Sequence, residues 1–141
     1  MSSLTEIKVR GYHADFYGHV NNARYLEFFE EDRWNMMESK VDLRDWAARG
    51  LAFLVVNINV NYRKAVPVGE ILTVSTAVET INSRSSVLRQ EARFKRSGEV
   101  AADALVTFVI IDKTGKAVVM EGDIRQEIEH LGSPTEAEMA V

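Results

Sequence analysis

The spacing of apolar residues changes along the chain, and the changes predict where strands and helices lie. Residues 4–12 alternate loosely with a period of two, which predicts a first β-strand. From about Asn22 the period becomes that of an amphipathic α-helix, with an acidic opposite face. The predicted apolar face of this helix carries Tyr25, Leu26, Phe29, Met36 and Met37. Arg33 falls within this stripe, so either the stripe ends there or the guanidinium meets a partner group.

Three later segments, residues 55–63, 72–79 and 86–96, alternate with the period of two that a half-buried strand shows, and a fourth, residues 100–111, is also predicted to be a strand. In the first, Val56, Ile58, Val60 and Tyr62 are predicted to form the apolar face. The amide face, Asn57, Asn59 and Asn61, is expected either in solvent or at a subunit interface. Alternating charges predict a solvated outer face for 86–96, and residues 100–111, apolar on both faces, are predicted to be the central strand.

Two shorter helices complete the pattern. One is predicted from Asp42 to a stop at Gly50, and one carries Ile124, Ile128 and Leu131 on a single face. The order of elements predicts an α+β fold, with a curved antiparallel sheet wrapped around the long helix. Residues 1–131 are expected to form one domain, and residues 132–141 a disordered tail.

Composition excludes several classes of protein. With 17 basic and 21 acidic residues the formal net charge is −4, which does not favour nucleic acid as a partner. The chain has no cysteine, hence no disulfide and no thiolate nucleophile. We expect a cytoplasmic protein, because no signal peptide or membrane span is apparent. The three histidines show no metal-ligand spacing, so no metal is predicted.

One segment, YHADFYGHVNNARYLEFFEEDR (residues 12–33), combines an acid with a helix start. Asp15 lies on a loop that Gly18 allows to turn tightly, and the helix begins near Asn22. Unpaired N–H groups at a helix N-terminus suit a developing oxyanion, so Asp15 is a candidate nucleophile or general base. The alternative is that Asp15 is a turn or cap residue with no chemical role.

The same segment closely resembles the pattern Y-x-x-D-x-x-G-H-V-N-N-x-x-Y-x-x-x-x-E-x-x-R of the 4-hydroxybenzoyl-CoA thioesterase-like branch of the hotdog-fold acyl-CoA thioesterases. The resemblance continues through residues 51–66 and 100–112. It implies a hotdog fold that forms dimers and often tetramers, and hydrolysis of acyl-CoA to fatty acid and CoA, with long-chain esters as the expected substrates. No cofactor is implied, since CoA is part of the substrate.

Specific roles follow from the resemblance. It implies that Asp15 is the catalytic carboxylate and that the Asn22 N–H polarises the thioester carbonyl, with Gly18 and His19 completing the loop. His19 either shapes the turn or acts directly. Some branches of the family carry the acid on the helix, so Glu30 and Glu31 are alternatives to Asp15. For the substrate, Tyr25 is a candidate wall of an acyl tunnel, and Arg63, Lys64, Arg84 and Ser85 are candidate contacts to CoA.

Two other functions remain open at this stage. A hotdog dehydratase or hydratase would need a histidine paired with an acid, and His19 beside Asp15 is the nearest such pair. A protein that binds or senses acyl-CoA without turnover would need the pocket but no competent carboxylate. The serine-hydrolase route lacks its G-x-S-x-G motif.

Overall fold

One antiparallel sheet and one long helix make up most of residues 3–132, the part of the chain that the computed structural model describes. The strands are β1 (Ser3–Lys8), β2 (Ala52–Tyr62), β3 (Ile71–Ile81), β4 (Ser86–Phe94) and β5 (Val100–Ile111), in the order β1-β3-β4-β5-β2. The helices are α1 (Arg24–Lys40), α2 (Leu43–Ala48) and α3 (Gly122–His130). This is the predicted α+β hotdog arrangement.

The core lies between α1 and the inner face of the sheet. Phe29, Met36 and Met37 of α1 are at most 1% exposed and belong to the same buried cluster as Leu88 of β4 and Phe108 of β5. Full burial of each such side chain contributes about 1.5–3 kcal/mol. The prediction that the sheet wraps the helix is therefore confirmed. This packing fixes the position of α1, and with it the position of the helix N-terminus beside the preceding loop.

A buried carboxylate ties α1 to the sheet. Asp32 is fully buried and accepts from the hydroxyls of Ser3 (2.6 Å), Thr5 (2.6 Å) and Thr76 (2.5 Å). These donors come from β1 and β3. A buried charge needs such partners, because its desolvation is otherwise uncompensated.

Arg33, the cation inside the apolar stripe, does meet a partner group. Its Nη1 donates to Gln90 Oε1 at 3.0 Å, and Gln90 Nε2 donates to the Phe29 carbonyl and to Thr76 Oγ1. These hydrogen bonds form one chain in which each group donates to the next, from the Arg33 guanidinium through Gln90 and Thr76 to the Asp32 carboxylate. Arg33 and Gln90 are 57 positions apart, so the sequence alone did not show this pairing.

The first strand is shorter than predicted. It ends at Lys8, and Gly11–His13 form a 3-10 turn in place of the strand's expected last residues. The reason is local: the Arg10 N–H donates to the Nδ1 of His13 at 2.8 Å instead of to a neighbouring strand. The chain therefore leaves the sheet early and turns toward α1.

The predicted inner face of β2 is wrong at its start. The pairing with β5 shifts between Val55 and Asn57, so a bulge leaves Val56 54% exposed. One extra residue reverses the faces. Phe53 and Val55 point inward before the bulge, and Ile58 and Val60 after it.

Two predictions about the other strands also need correction. The middle strand of five is β4, and β5 lies between β4 and β2. The outer face of β4 is not wholly solvated either, since Glu91 is only 7% exposed and pairs with Arg93 at 2.7 Å. The sequence predicted β5 to be the central strand because its residues are apolar on both faces. In the structure the outer face of β5 is not covered within the described chain, and Leu105 on it is 44% exposed.

The short helices are confirmed. Asp42 Oδ1 accepts from the N–H groups of Arg44 and Asp45 at the start of α2, and Gly50 takes the positive φ (+73°) expected of a helix stop. Ile128 and Leu131 at the end of α3 are fully buried. Gly132 accepts from the Val78 N–H at 2.8 Å, and the rest of the predicted tail lies outside the described residues.

Candidate active site

The loop that carries Asp15 is a tight hairpin. Gly18 N–H donates to the Asp15 carbonyl (3.0 Å), and Asp15 N–H donates to the His19 carbonyl (2.8 Å). Gly18 has φ +83°, a left-handed value that an L side chain adopts only with strain. The sequence prediction that Gly18 closes this turn is confirmed.

The Asp15 side chain is exposed, and only one of its oxygens is used by the loop. Oδ1 accepts from the N–H groups of Tyr17 (2.9 Å) and His19 (3.4 Å). Within residues 3–132, no group donates to Oδ2. The turn role and the chemical role of Asp15 are thus compatible, because they fall on different oxygens.

The segment between this hairpin and α1 is anchored at both sides. Asn21 N–H donates to the His13 carbonyl (2.8 Å), and Val20 N–H donates to the Val66 carbonyl (2.9 Å). His13 is 9% exposed and packs edge-on against Phe28 of α1. The position of the loop therefore depends on the conformation of His13.

Protonation of His13 is expected to loosen this anchor. Burial lowers the pKa of His13 below 6.5, as Arg24 and Arg10 also do, against an opposing effect of Glu27. Its Nδ1 must be unprotonated to accept from Arg10 N–H. The unfolded chain then takes up the extra proton as the pH falls below about 6.5, so stability from His13 is present above that pH and is lost in acid.

We therefore expect the thermal unfolding midpoint to fall more steeply between pH 7 and 5 in the wild type than in His13→Asn. Asparagine keeps an acceptor near the Nδ1 position but does not titrate in this range. The measurement is the unfolding midpoint against pH for both proteins. Parallel curves would assign the acid sensitivity to groups other than His13.

The helix begins at Arg24, two residues later than predicted. The N–H groups of its first turn donate to the carbonyls of the three residues before it. Asn21 Oδ1 accepts from Ala23 N–H (3.0 Å) and the Asn21 carbonyl from Arg24 N–H (2.9 Å). Neither asparagine caps α1 with its side chain, because the N-cap residue is Ala23 and the Asn21 side chain bonds to the N–H of Ala23 itself, one residue before the helix. No described residue accepts from the Asn22 N–H. This is the unpaired donor that an oxyanion requires.

Tyr62, at the end of β2, holds the next group along this backbone. Its Oη donates to the Asn22 carbonyl at 3.1 Å, and its ring packs against Tyr25 with 5.6 Å between centroids. Sequence reasoning missed this role and assigned Tyr62 to the apolar strand face. The pairing spans 40 positions, and no local signal in the sequence reveals it.

The residues on the loop, helix start and end of β2 enclose one cavity of about 260 Å³. Its lining residues are Asp15, His19, Val20, Asn22, Tyr25, Tyr62, Arg63, Lys64 and Ala65. Burial, with a smaller effect of Tyr62, raises the pKa of Tyr25 to about 12. The Tyr25 hydroxyl is thus a hydrogen-bond donor at neutral pH and not a base.

Two predicted CoA contacts lie at this cavity, and each is paired with an acid at the surface. Arg63 binds both oxygens of Asp103 (3.0 and 3.3 Å), and Lys64 Nζ lies 2.5 Å from Glu99. All four side chains are partly or largely solvated. Such pairs contribute about 0–1 kcal/mol, so a ligand phosphate can compete for these cations.

The other two predicted contacts are not brought to this cavity within one chain. Arg84 and Ser85 lie on the turn between β3 and β4, where Arg84 donates to the Ala117 carbonyl at 3.0 Å. Strand pairing places this turn beyond Ser86 and Phe108, at the end of the sheet opposite Tyr62 and its partner Ala102. They are distant from Asp15 along the strands.

The acids on the helix also lie elsewhere. Glu30 and Glu31 are exposed on α1, and neither lines the cavity of Asp15. Among the described residues, no group of three or more His, Cys, Asp or Glu side chains is placed to hold a metal ion. No helix of residues 3–132 is long and apolar enough to cross a membrane.

The antiparallel sheet wrapped around a long helix is the hotdog fold. The chain belongs to the thioesterase-like superfamily, whose family model matches residues 9–128.

Relatives agree with this assignment. The long-chain acyl-CoA thioesterase FadM of Escherichia coli K12 is 48% identical over 128 residues, which are 90% of this chain and 97% of that protein. A crystal structure of the probable thioesterase YbaW from Escherichia coli matches with a TM-score of 0.87 and 47% identity, covering 92% of this chain and 98% of the other. 4-Hydroxybenzoyl-CoA thioesterase, at 15% identity, shares the fold with a TM-score of 0.80, over 91% of this chain and 99% of the other.

Proposed function

We propose that this enzyme hydrolyses long-chain acyl-CoA to free fatty acid and CoA, with Asp15 as the reacting carboxylate and the Asn22 N–H as the oxyanion donor. The observation that carries the proposal is that Asp15 and Asn22 line the same cavity, and that within residues 3–132 nothing donates to Asp15 Oδ2 or accepts from the Asn22 N–H. The name of the relative at 48% identity supports the long-chain substrate.

Two routes are compatible with this geometry. In the first, an Asp15 oxygen attacks the thioester carbonyl, negative charge collects on the carbonyl oxygen facing Asn22 N–H, and the C–S bond breaks to release CoA thiolate, which takes a proton. Water then hydrolyses the mixed anhydride. In the second, Asp15 removes a proton from water, and the resulting hydroxide attacks the same carbon. Both yield one fatty acid and one CoA.

The remaining residues have supporting roles in the proposal. Gly18 and the backbone of His19 fix the direction of the Asp15 carboxylate. The side chain of His19 lines the cavity, and Tyr25 walls it at the start of the acyl group's path. Arg63 and Lys64 bind CoA phosphates. No cofactor takes part, because CoA enters as part of the substrate.

We further propose that the enzyme works as a dimer or as a dimer of dimers. Arg84 and Ser85 lie far along the sheet from Asp15, and in this proposal they contact the CoA bound at the site of a neighbouring subunit. The edge strand β2 and its neighbour also expose Leu54, Val56 and Leu105 by 44–54%. An apolar edge of this kind favours pairing with a second chain. Each subunit is proposed to be a single domain, residues 1–131, and the assembly to act in the cytoplasm.

Release of free thiol from a panel of acyl-CoAs tests the function. We expect turnover to rise from acetyl-CoA to long saturated and unsaturated esters, with little activity on an aromatic ester, because a longer chain covers more apolar surface. Binding measured in parallel separates the alternatives. Tight binding of long-chain acyl-CoA without thiol release would favour a sensor, and conversion of an enoyl-CoA without thiol release would favour a hydratase.

A further inference from the structure

A second cavity lies farther along the side of the molecule where α1 faces β2. It has a volume of about 320 Å³ and is lined by Glu30, Arg33, Trp34, Met37, Phe53, Leu54, Val55 and Ile58. Tyr25 and Tyr62, on the same two elements, line the cavity of Asp15. The two cavities therefore occupy successive stretches of one seam, and Arg33 lies about 12 Å along the helix from Tyr25.

Arg33 makes this otherwise largely apolar cavity chemically distinctive. Its side chain is 7% exposed, yet the described protein uses few of its five N–H donors: Nη1 bonds to Gln90, and Nη2 is 4.0 Å from Glu30 Oε2. Within residues 3–132 no Arg33 nitrogen is both buried and without a partner, so the remaining donors are accessible to solvent at the cavity wall. A ligand oxygen that displaces solvent there would keep their hydrogen bonds, whereas an apolar chain would break them.

The charges around Arg33 favour a neutral oxygen over an anion. Glu30 is the acid beside the guanidinium, and Asp32 ends a hydrogen-bond chain that starts from it. A carboxylate brought by a ligand would be repelled by Glu30, whereas a hydroxyl or keto oxygen would accept a hydrogen bond without that repulsion.

We propose that this cavity receives the distal part of the acyl chain and that Arg33 donates to a neutral oxygen on it, so that the preferred substrates are long-chain hydroxy- or oxo-acyl-CoAs. The inference rests on the proposed function, since the thioester must lie at Asp15. The distance along the helix suits an oxygen far from the thioester and excludes one beside it.

The test compares kcat/KM of the wild type for stearoyl-CoA and three analogues: a hydroxystearoyl-CoA with its hydroxyl in the distal half, one with its hydroxyl beside the thioester, and the mono-CoA ester of a long dicarboxylic acid. We expect the distal hydroxyl to raise kcat/KM about tenfold or more, as a hydrogen bond to a charged group would. The proximal hydroxyl and the carboxylate should give no such gain.

Arg33→Met is expected to bring the ratio between distal-hydroxy and plain stearoyl-CoA close to one. If this variant fails to fold, the wild-type ratio alone decides. Efficient hydrolysis of stearoyl-CoA with no gain from the distal hydroxyl overturns the inference and leaves the proposed function intact. Absence of thiol release from every ester counts against the proposed function, and calorimetric affinities for the same pair of ligands then decide the inference.

Discussion

Replacing Asp15 by asparagine is expected to lower acyl-CoA turnover on the order of 10²-fold or more, which corresponds to roughly 3 kcal/mol of barrier. Asparagine has the same shape, and its Oδ1 can still accept from the N–H groups of Tyr17 and His19, so the hairpin should persist. Its amide nitrogen replaces the second oxygen, which is the group that would attack or take a proton. The measurement is kcat and KM by thiol release, beside the thermal unfolding midpoint.

Glu31→Gln is the matched control, because Glu31 is an exposed acid on α1 that does not line the cavity of Asp15. It should keep turnover near the wild-type value. A loss confined to Asp15→Asn, with acyl-CoA affinity retained, would assign the chemistry to this carboxylate. Full turnover in a folded Asp15→Asn protein would move the search to Glu30 and Glu31.

The loop could be predicted from the sequence because its determinants are local. Asp15, Gly18 and Asn22 lie within eight positions, and a glycine turn followed by a helix start constrains them without reference to the rest of the chain. The predicted helix start near Asn22 was less accurate, because α1 begins at Arg24 and its N-cap residue, Ala23, has no side-chain cap. Local rules fix the type of a turn more reliably than the residue at which a helix begins.

The parts that could not be predicted depend on contacts distant in sequence. The bulge at Val56 reverses the faces of β2, and nothing in the alternation of valines and asparagines marks it. Leu26 was placed on the apolar face of α1 but is 42% exposed, whereas Phe28, left off that face, is 5% exposed. A sheet curved around a helix buries a wider stripe than the helical pattern alone defines.

The pairing of buried polar groups was equally hidden. Arg33 was identified as an interruption of the apolar stripe, but its partner Gln90 lies between Leu88 and Ala92 on the inner face of β4, a strand that was interpreted only from the charges of its other face. No buried role was predicted for Asp32, since it lies in the acidic segment EFFEEDR. Only the fold shows that one acid of this run points into the core while its neighbours Glu30 and Glu31 face outward.

Asp32→Ala is therefore expected to lower the free energy of unfolding by about 3–5 kcal/mol, a large share of the stability of a domain this size. The substitution leaves the hydroxyls of Ser3, Thr5 and Thr76 without their acceptor. It also removes the carboxylate at the end of the hydrogen-bond chain that begins at Arg33. The measurement is chemical denaturation, with Glu31→Ala as the matched loss of an exposed acid from the same helix.

Glu31→Ala should change the free energy of unfolding by less than about 0.5 kcal/mol, since exposed positions away from such networks tolerate substitution. The double variant Asp32→Ala with Ser3→Ala separates the two parts of the effect, because the Ser3 hydroxyl has no hydrogen bond except the one to Asp32 within residues 3–132. If the loss comes from unsatisfied donors, removing the Ser3 hydroxyl as well should recover part of it, because one unsatisfied donor disappears. An Asp32→Ala protein as stable as Glu31→Ala would mean that the buried carboxylate contributes nothing net, and that apolar packing alone holds α1 in the sheet.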